Sequence, residues 1–347
     1  SVLNRVPFGW DESAAIGYTY APRIGNSDLR WETSATTNFG VDFGFLNNRI
    51  TGTVDVFTTT TKDLLLERLL PLSSGALSTI ENVGETENKG IELGLNAIAV
   101  DKKNFKWNIG VNWFKVNEKI VRLATASNDV ANGWFIGETT QSFYDYEKLG
   151  IWQSNEVDAA KAFGQNVGDI KVKDQNGDGK IDATNDRVIL GSGRPSWIGN
   201  LNNDIKFHNF DLNLQLFARW GQMVRYAFTG VYDPQANENS LIHNYWTPEN
   251  PSNDFPRPNA SKSQSATLYY SSLFYKDGSF FKLRGATLGY TLPKRLVNKI
   301  HASNIRVYIS GRNLWTYSKI EDYDPERGGN FTNPMTKVFV GGVNVDF

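Results

Sequence analysis

The sequence contains no cysteine and only three histidines, His208, His243 and His301. Without cysteine there is no disulfide framework, no thiolate zinc site and no thiol nucleophile. The histidines lie too far apart along the chain to match a local metal-binding motif. Basic residues are not in excess, because 36 Lys and Arg stand against 37 Asp and Glu. This balance argues against a general nucleic-acid-binding protein.

Long apolar runs are also missing. No stretch reaches the roughly 18 apolar residues that predict a transmembrane helix, and no signal peptide opens the chain. The sequence contains no nucleophile-elbow, zinc-protease or P-loop motif, and no dinucleotide-binding glycine motif that leads into a helix. We therefore expect no enzyme. A low mean hydropathy does not exclude a membrane protein, because membrane-spanning β-strands alternate apolar and polar residues.

Aromatic residues and strict alternation are abundant instead. Phe, Tyr and Trp number 21, 14 and 10, and Gly numbers 31. In the segment from Phe105 to Trp113, every second residue is apolar and the residues between them are Lys, Asn or Gly. This period of two indicates a β-strand with one apolar and one polar face. Nine such segments are predicted: 34–45, 49–60, 90–100, 105–116, 197–207, 210–220, 280–291, 305–315 and 336–347.

The segments are long, and their connections alternate in length. A tilted strand crosses a bilayer in roughly 9–11 residues, whereas strands of globular proteins have about 5–6. The short connections are 46–48, 101–104, 208–209 and, somewhat longer, 292–304. The long ones are 61–89, 117–196, 221–279 and 316–335. Outer-membrane barrels have short periplasmic turns and long extracellular loops, so the pattern predicts an all-β, transmembrane antiparallel barrel with its C-terminus on the periplasmic side.

One long loop contains a calcium-like motif. Residues 174–182 read D-x-N-x-D-G-x-I-D, in which alternate oxygen ligands can converge on a Ca²⁺ ion and Gly179 permits the tight turn. The candidate metal ligands are Asp174, Asn176, Asp178, Lys180 through its carbonyl group, Asp182 and Asp186. Asp186 comes one residue later than the motif requires, where Asn185 stands. The alternative is a cluster of Asn-Gly and Asp-Gly turns without a metal ion.

The same loops carry many aromatic residues, among them Trp134, Phe135, Trp152, Trp246 and Tyr269. Such rings bind sugars, peptides or a partner protein. A loop of this length also needs a small core of its own, and we favour that interpretation.

Several motifs together carry a family resemblance. They are 28–33 with 37–42, 70–75, 81–92, 150–153, 168–171 leading into 174–186, 187–191, 246–251, 276–284, 287–293, 306–308 with 311–314, and 322–326. Their order and content resemble the SusC/RagA-family TonB-dependent outer-membrane transporters of Bacteroidetes. The matches extend from about residue 26 to the end.

The resemblance implies the C-terminal portion of a plugged barrel of about 22 strands. The N-terminal plug and the segment that contacts TonB are absent from this sequence. The expected division is an extracellular loop segment at 1–33 and barrel strands with their loops at 34–347. The implied partners are a SusD-like surface lipoprotein, TonB through the missing part, and the plug and remaining strands of the same transporter. The implied cargo is a glycan or a peptide, and the implied location is the outer membrane.

The polar strand face is expected to line the lumen. Its members are Glu92, Asn96, Asn108, Asn112, Asn213, Gln215 and Arg219. Three alternatives stay open from the residues alone: a soluble calcium-dependent glycan-binding module, a surface enzyme, and a structural or adhesion barrel.

Overall fold

Nine antiparallel strands form one sheet in which each strand pairs with its neighbours in sequence. The computed structural model describes residues 3–7, 16–20, 23–82, 84–123, 127–225, 243–259, 261, 266–321, 323–328 and 335–347. Parts of the predicted segment 1–33 and of the predicted long loops lie outside these ranges, as do Val83 and Asp322 of the quoted motifs.

The strands are numbered β1 to β9 along the chain. They are β1 (Thr33–Phe45), β2 (Ile50–Lys62), β3 (Gly84–Lys102), β4 (Phe105–Leu123), β5 (Trp197–Phe207), β6 (Phe210–Trp220), β7 (Phe280–Thr291), β8 (Asn304–Ser318) and β9 (Val338–Asp346). All nine predicted segments are therefore strands of this sheet. The bounds of β5, β6 and β7 are those predicted.

Strands β3 and β4 extend well beyond the predicted bounds, so the predicted loops 61–89 and 117–196 are shorter than expected. The reason is a set of charged pairs that continues the two strands past their apolar part. Glu87 binds Lys119 at 2.9 Å and Lys89 at 3.1 Å. The prediction followed apolar alternation, which stops where these ion pairs begin; the Glu87–Lys119 pair joins β3 to β4, and the Glu87–Lys89 pair lies within β3.

The register separates two faces across the sheet. Leu201 on β5 lies opposite Val111 on β4 and Leu216 on β6. One step further along, Asn202 lies opposite Gly110 and Gln215. Since a slip of one residue would exchange the faces, this register keeps the predicted apolar and polar sets apart through the centre of the sheet.

A bulge interrupts the ladder between β6, β7 and β8. Gln215 pairs with Gly285, but Leu216 pairs with Leu283, so Arg284 is an extra residue in β7. On β8, the partners step from Arg312 to Trp315, and Asn313 has a φ of 54°. Bulges re-aim side chains next to functional sites.

Shorter elements occupy the connections. The paired strands are Leu3–Pro7 with Ile16–Tyr20, Arg23–Ile24 and Leu65–Leu69 with Ser78–Asn82, Ser142–Tyr146 with Arg187–Ser192, Lys148–Ile151 with Ile170–Val172, and Met223–Arg225 with Tyr275–Asp277. The α-helices are Val157–Ala162 and Lys294–Val297, and short 3₁₀ helices are Leu72–Ser74, Ser154–Glu156, Tyr270–Phe274, Asn298–Ile300 and Pro325–Arg327. Among the described residues, no helix is long and apolar enough to cross a membrane.

The chain divides into two compact units. The first comprises Ser1–Gly40, Asp55–Ile91 and Val116–Ser142, and the second comprises Val41–Val54, Glu92–Lys115 and Phe143–Phe347. The first unit holds the three-stranded sheet around Ser78–Asn82. The second holds β5 to β9 and the folded loops between them.

Candidate functional site

The polar face of β4 to β8 is built from short amide and hydroxyl side chains that bond to one another. Asn213 donates a hydrogen bond to Asp204 at 2.7 Å, and Thr287 and Ser310 share one at 2.8 Å. Register places Asn108 and Asn213 on either side of Asp204. The structure thus brings together Asn108, Asn112, Asn213 and Gln215 of the predicted lumen residues on one face.

An ion pair crosses this face near the short turns. Arg306 on β8 donates from Nε to Asp211 Oδ1 at 2.9 Å and from Nη2 to Oδ2 at 2.5 Å. The strand between them carries Gly289, which lies opposite both Asp211 and Tyr308. A depression of about 510 Å³ lies beside the pair and is lined by Asp204, Lys206 and Asn213 among others.

A second charged cluster lies at the bulge. Lys282 is fully buried and contacts Asp324 at 2.6 Å and Glu326 at 2.8 Å. Arg284 binds the other oxygen of Glu326 at 2.5 Å. Lys282 and Arg284, two residues apart on β7, thus contact the same carboxylate. These ion pairs hold the acidic turn, Asp324–Pro325–Glu326, against β7.

The acidic turn is shaped for this contact. Asp324 caps the 3₁₀ helix Pro325–Arg327 by accepting a hydrogen bond from Glu326 N at 3.0 Å. Burial alone would raise the pKa of Glu326. The hydrogen bond and charge of Lys282, together with the charge of Arg284, outweigh it and hold the pKa of Glu326 below its usual value. Glu326 is therefore an anion at neutral pH.

The long loops of the second unit contain a core of their own. Ile151, Ile170, Val172, Trp246 and Leu273 are all buried and in contact, with Tyr146 and Tyr269 packed against them. Trp152 and Trp246 are each only 4% exposed. The interpretation that these rings build a loop core is confirmed for these residues. Tyr245 differs, because 43% of it is exposed.

Gln153 joins two loops that are distant in sequence. It accepts a hydrogen bond from Trp246 Nε1 at 2.9 Å and donates to the carbonyl oxygen of Ser252 at 3.3 Å. Asn253 in turn accepts from Ile151 N at 3.0 Å. The segments 150–153 and 246–253 therefore act as one folded body. The sequence places Trp152 and Trp246 among the loop aromatics and 150–153 and 246–251 among the family motifs, but it gives no sign that the two segments are joined.

The calcium-like loop is closed by its own hydrogen bonds. Asp174 accepts from Gly177 N at 2.7 Å and from Gly179 N at 2.8 Å. Asp178 accepts from Lys180 N at 2.8 Å. Both glycines have positive φ, 75° and 80°, which is the conformation that the motif requires of a tight turn. Hydrogen bonds from Asn185 N, Thr184 N and the Asn185 side chain lower the pKa of Asp182.

Asp186 ends the loop in a buried position. It is fully shielded from solvent, and its two oxygens accept from Gln175 N at 2.8 Å and Asp182 N at 2.7 Å. Within the described ranges no group of three or more acidic or histidine side chains converges closely enough to hold a metal ion. No such group forms among the four predicted acidic ligands Asp174, Asp178, Asp182 and Asp186. Calcium binding by the six predicted ligands stays a prediction.

Sequence reasoning missed both ion-pair clusters of the polar face. The Arg306–Asp211 pair joins residues 95 positions apart, and Lys282 contacts residues 42 and 44 positions away. Alternation along one strand does not tell which distant residues lie beside it in the fold. One usable signal was Gly289, which has no side chain and stands between Thr287 and Thr291 on the same face of the strand. The other was the Lys-x-Arg of β7, because Lys282 and Arg284 are the two charged residues of that strand.

A family model described as "TonB dependent receptor-like, beta-barrel" matches residues 7–314. TonB-dependent receptor P3 of Formosa agariphila is 32% identical over 338 residues, which are 93% of this chain and 33% of that protein. TonB-dependent receptor SusC of Bacteroides thetaiotaomicron is 27% identical over 350 residues, covering 95% and 33%.

Solved structures match the same fold. The RagAB peptide transporter is 25% identical with a TM-score of 0.77, and the match covers all of this chain and 38% of that one. The RagAB peptide importer in its closed-closed state is 26% identical with a TM-score of 0.76 and the same coverage. The chain therefore spans about a third of the length of the relatives that it matches.

Proposed function

The chain belongs to the TonB dependent receptor-like, β-barrel family, and from this premise we propose that it forms the C-terminal portion of an outer-membrane transporter. The transporter imports a nutrient through the barrel lumen with energy relayed by TonB. The observation that carries the proposal is the meander of nine long strands with one apolar and one polar face. Binding and gated passage suffice for this function, and no bond is made or broken.

The two faces have separate roles in this proposal. The apolar face contacts lipid, because its side chains Val307, Ile309 and Phe339 are between 44% and 68% exposed, and a water-soluble fold rarely exposes so continuous an apolar surface. The polar face lines the lumen and meets the plug. The short turns lie in the periplasm, and the folded loops of the second unit lie outside the cell.

The partners follow from the same premise. A SusD-like surface lipoprotein covers the extracellular mouth, and the folded loops held together by Gln153 and Trp246 offer a rigid surface for it. Rigid loops favour docking, since little conformational entropy is lost on binding. The cargo is a glycan or a peptide.

Fractionation of native cells tests the membrane part of the proposal. The polypeptide that contains this chain is expected in the outer membrane, with a gel mobility that changes on heating, as a closed barrel requires. Recovery in the soluble fraction only would contradict the proposal and favour the soluble glycan-binding module.

Deletion of the gene tests the transport part. Growth on individual glycans and on peptide mixtures is compared between the deletion strain and the same strain carrying a complementing copy of the gene. Loss of growth on one class, restored by the complementing copy, identifies the cargo. Unchanged growth on every nutrient for which the protein is expressed would contradict import and favour a structural or adhesion barrel.

A further inference from the structure

Basic residues are concentrated at the short-turn end of the sheet. The segments 46–49, 101–106, 206–211, 292–306 and 344–347 contain Arg49, Lys102, Lys103, Lys106, Lys206, Lys294, Arg295, Lys299 and Arg306, against Asp101, Asp211 and Asp346. The whole chain has a net charge of −1. The excess of positive charge at this end is therefore balanced by acidic residues elsewhere.

Hydrogen bonds join these turns into one continuous rim. Ile98 N donates to Arg49 O at 2.7 Å, and His208 N donates to Asn104 O at 2.9 Å. Further along, Thr291 N donates to Asn209 O at 2.8 Å, and Ser303 N donates to Asp346 O at 2.7 Å. Each bond links one turn to the next strand pair. The positive charges are thus held in a fixed arrangement along the edge of the sheet.

Within the described ranges, two of these nine cations form ion pairs. Lys106 pairs with Asp101 at 2.9 Å, and Arg306 pairs with Asp211. In contrast, the basic collar, defined as Lys102, Lys103, Lys294, Arg295 and Lys299, consists of exposed residues without an ion pair inside the described part of the chain. Uncompensated charge at one edge attracts anions of matching arrangement.

Apolar residues lie directly against the collar. An unbroken row across β4 to β8, at or close to the strand ends that meet the short turns, consists of Phe105, Phe207, Phe210, Tyr290 and Val307. Phe207 and Phe210 are 54% and 48% exposed. In the helix Lys294–Val297, Val297 is 1% exposed and anchors the turn, whereas Leu296 is 51% exposed beside the cations.

We propose that the basic collar binds the headgroup phosphates of anionic phospholipids in the periplasmic leaflet of the outer membrane. The inference rests on the proposed membrane function. Cations next to exposed rings and an exposed leucine match a surface that is apolar on one side and anionic on the other. An acidic protein partner would account for the charges but not for Leu296 and the aromatic row.

Lipid exchange on the native protein tests this inference. The intact protein is purified from outer membranes in a neutral detergent, and its affinity for phosphatidylglycerol and for phosphatidylcholine is measured by native mass spectrometry. We expect phosphatidylglycerol to bind at least about tenfold more tightly than phosphatidylcholine, since each collar cation adds attraction to an anionic headgroup. High salt is expected to remove this preference.

Matched variants locate the site. The triple variant Lys294→Gln, Arg295→Gln and Lys299→Gln is expected to lose most of the preference for phosphatidylglycerol. A control variant removes the same number of charges from exposed positions outside the short-turn segments, by Arg30→Gln, Lys62→Gln and Lys161→Gln. This control is expected to keep the preference for phosphatidylglycerol. Equal affinity for the two lipids, or equal loss in both variants, would overturn the proposal.

The outcome is separable from that of the proposed function. A heat-modifiable outer-membrane protein that binds both lipids equally would refute the collar alone. A protein that is not recovered from the membrane would refute the transporter first. Tight binding of soluble glycerol phosphate at lipid-like affinity would also refute the collar, because it would leave the apolar row without a role.

Discussion

Arg306 reaches Asp211 across an entire strand, with Nε 2.9 Å from Oδ1. The contact exists because Gly289 lies between them. A Cβ atom at Gly289 would lie 2.5 Å from both Arg306 Nε and Asp211 Oδ1, closer than van der Waals contact permits. The absence of a side chain on β7 thus lets two charges meet that belong to β6 and β8.

Replacing Gly289 by alanine should break this ion pair. The charged hydrogen bonds of a partly buried pair contribute roughly 1.5–3 kcal/mol, so we expect a loss of about 1–2 kcal/mol in the free energy of unfolding. Gly341→Ala is the control, because its Cβ would meet only Tyr308 O at 4.0 Å. The free energy of unfolding of both variants is measured by urea unfolding, with gel mobility as the readout of the folded fraction. Equal stability of the two variants would contradict the role of Gly289.

The two faces of β6 should respond differently to charge. Leu214 lies on the apolar face opposite Ala286, and Asn213 lies on the polar face beside Asp204. We expect Leu214→Arg to cost about 2–4 kcal/mol if the residue faces lipid near the midplane. Asn213→Arg should cost far less. The free energies of unfolding of the two variants are measured by refolding into lipid vesicles at increasing urea concentration. Equal losses of stability in the two variants would argue against the assignment of the faces.

Lys282 should be essential for the acidic turn. Lys282→Met leaves Asp324 without its cation and Glu326 with Arg284 alone. Removing one partner of a buried pair costs about 3–5 kcal/mol. Lys319→Met is the control, since Lys319 is 76% exposed in its pair with Asp277 and such surface pairs contribute about 0–1 kcal/mol. Limited proteolysis by trypsin after Arg327 should increase in the first variant only.

The acidic turn should also detach from Lys282 and Arg284 at low pH. The pKa of Glu326 is depressed in the folded protein, so its contribution to stability is present above the usual value of 4.5 and is lost as pH falls below it. Proteolysis of the turn is expected to rise below pH 4.5. Glu326→Gln should flatten this pH dependence, and an unchanged profile in that variant would assign the effect to another carboxylate.

The calcium prediction has a direct test. If the loop 174–186 binds Ca²⁺, the ion should raise the melting temperature of the loop region, because a ligand that binds the folded state stabilises it. Asp174→Asn should remove this increase, and Asp158→Asn, an exposed acid outside the loop, should not. A melting temperature that does not change with Ca²⁺ or with a chelator would contradict calcium binding and favour a hydrogen-bonded turn cluster without a metal ion.

Much of the fold was predictable from the sequence because strand periodicity is local. Alternation located all nine strands, and the alternation of short and long connections predicted an antiparallel meander. The ends of β3 and β4 were wrong, since there the ladder is continued by ion pairs such as Glu87–Lys119 rather than by apolar residues. Buried rings such as Trp152 and Trp246 were predicted as a loop core because a long loop needs one.

The sequence by itself determined the two faces of each strand and the composition of the loops, because both depend on residues close together in the chain. Only the tertiary structure decided which charges meet. Arg306 meets Asp211 through the register of β6, β7 and β8, and Lys282 meets Glu326 where the turn after β8 lies against β7. Such pairings depend on the order and offset of neighbouring strands, and these are set by packing over the whole sheet rather than by any local pattern.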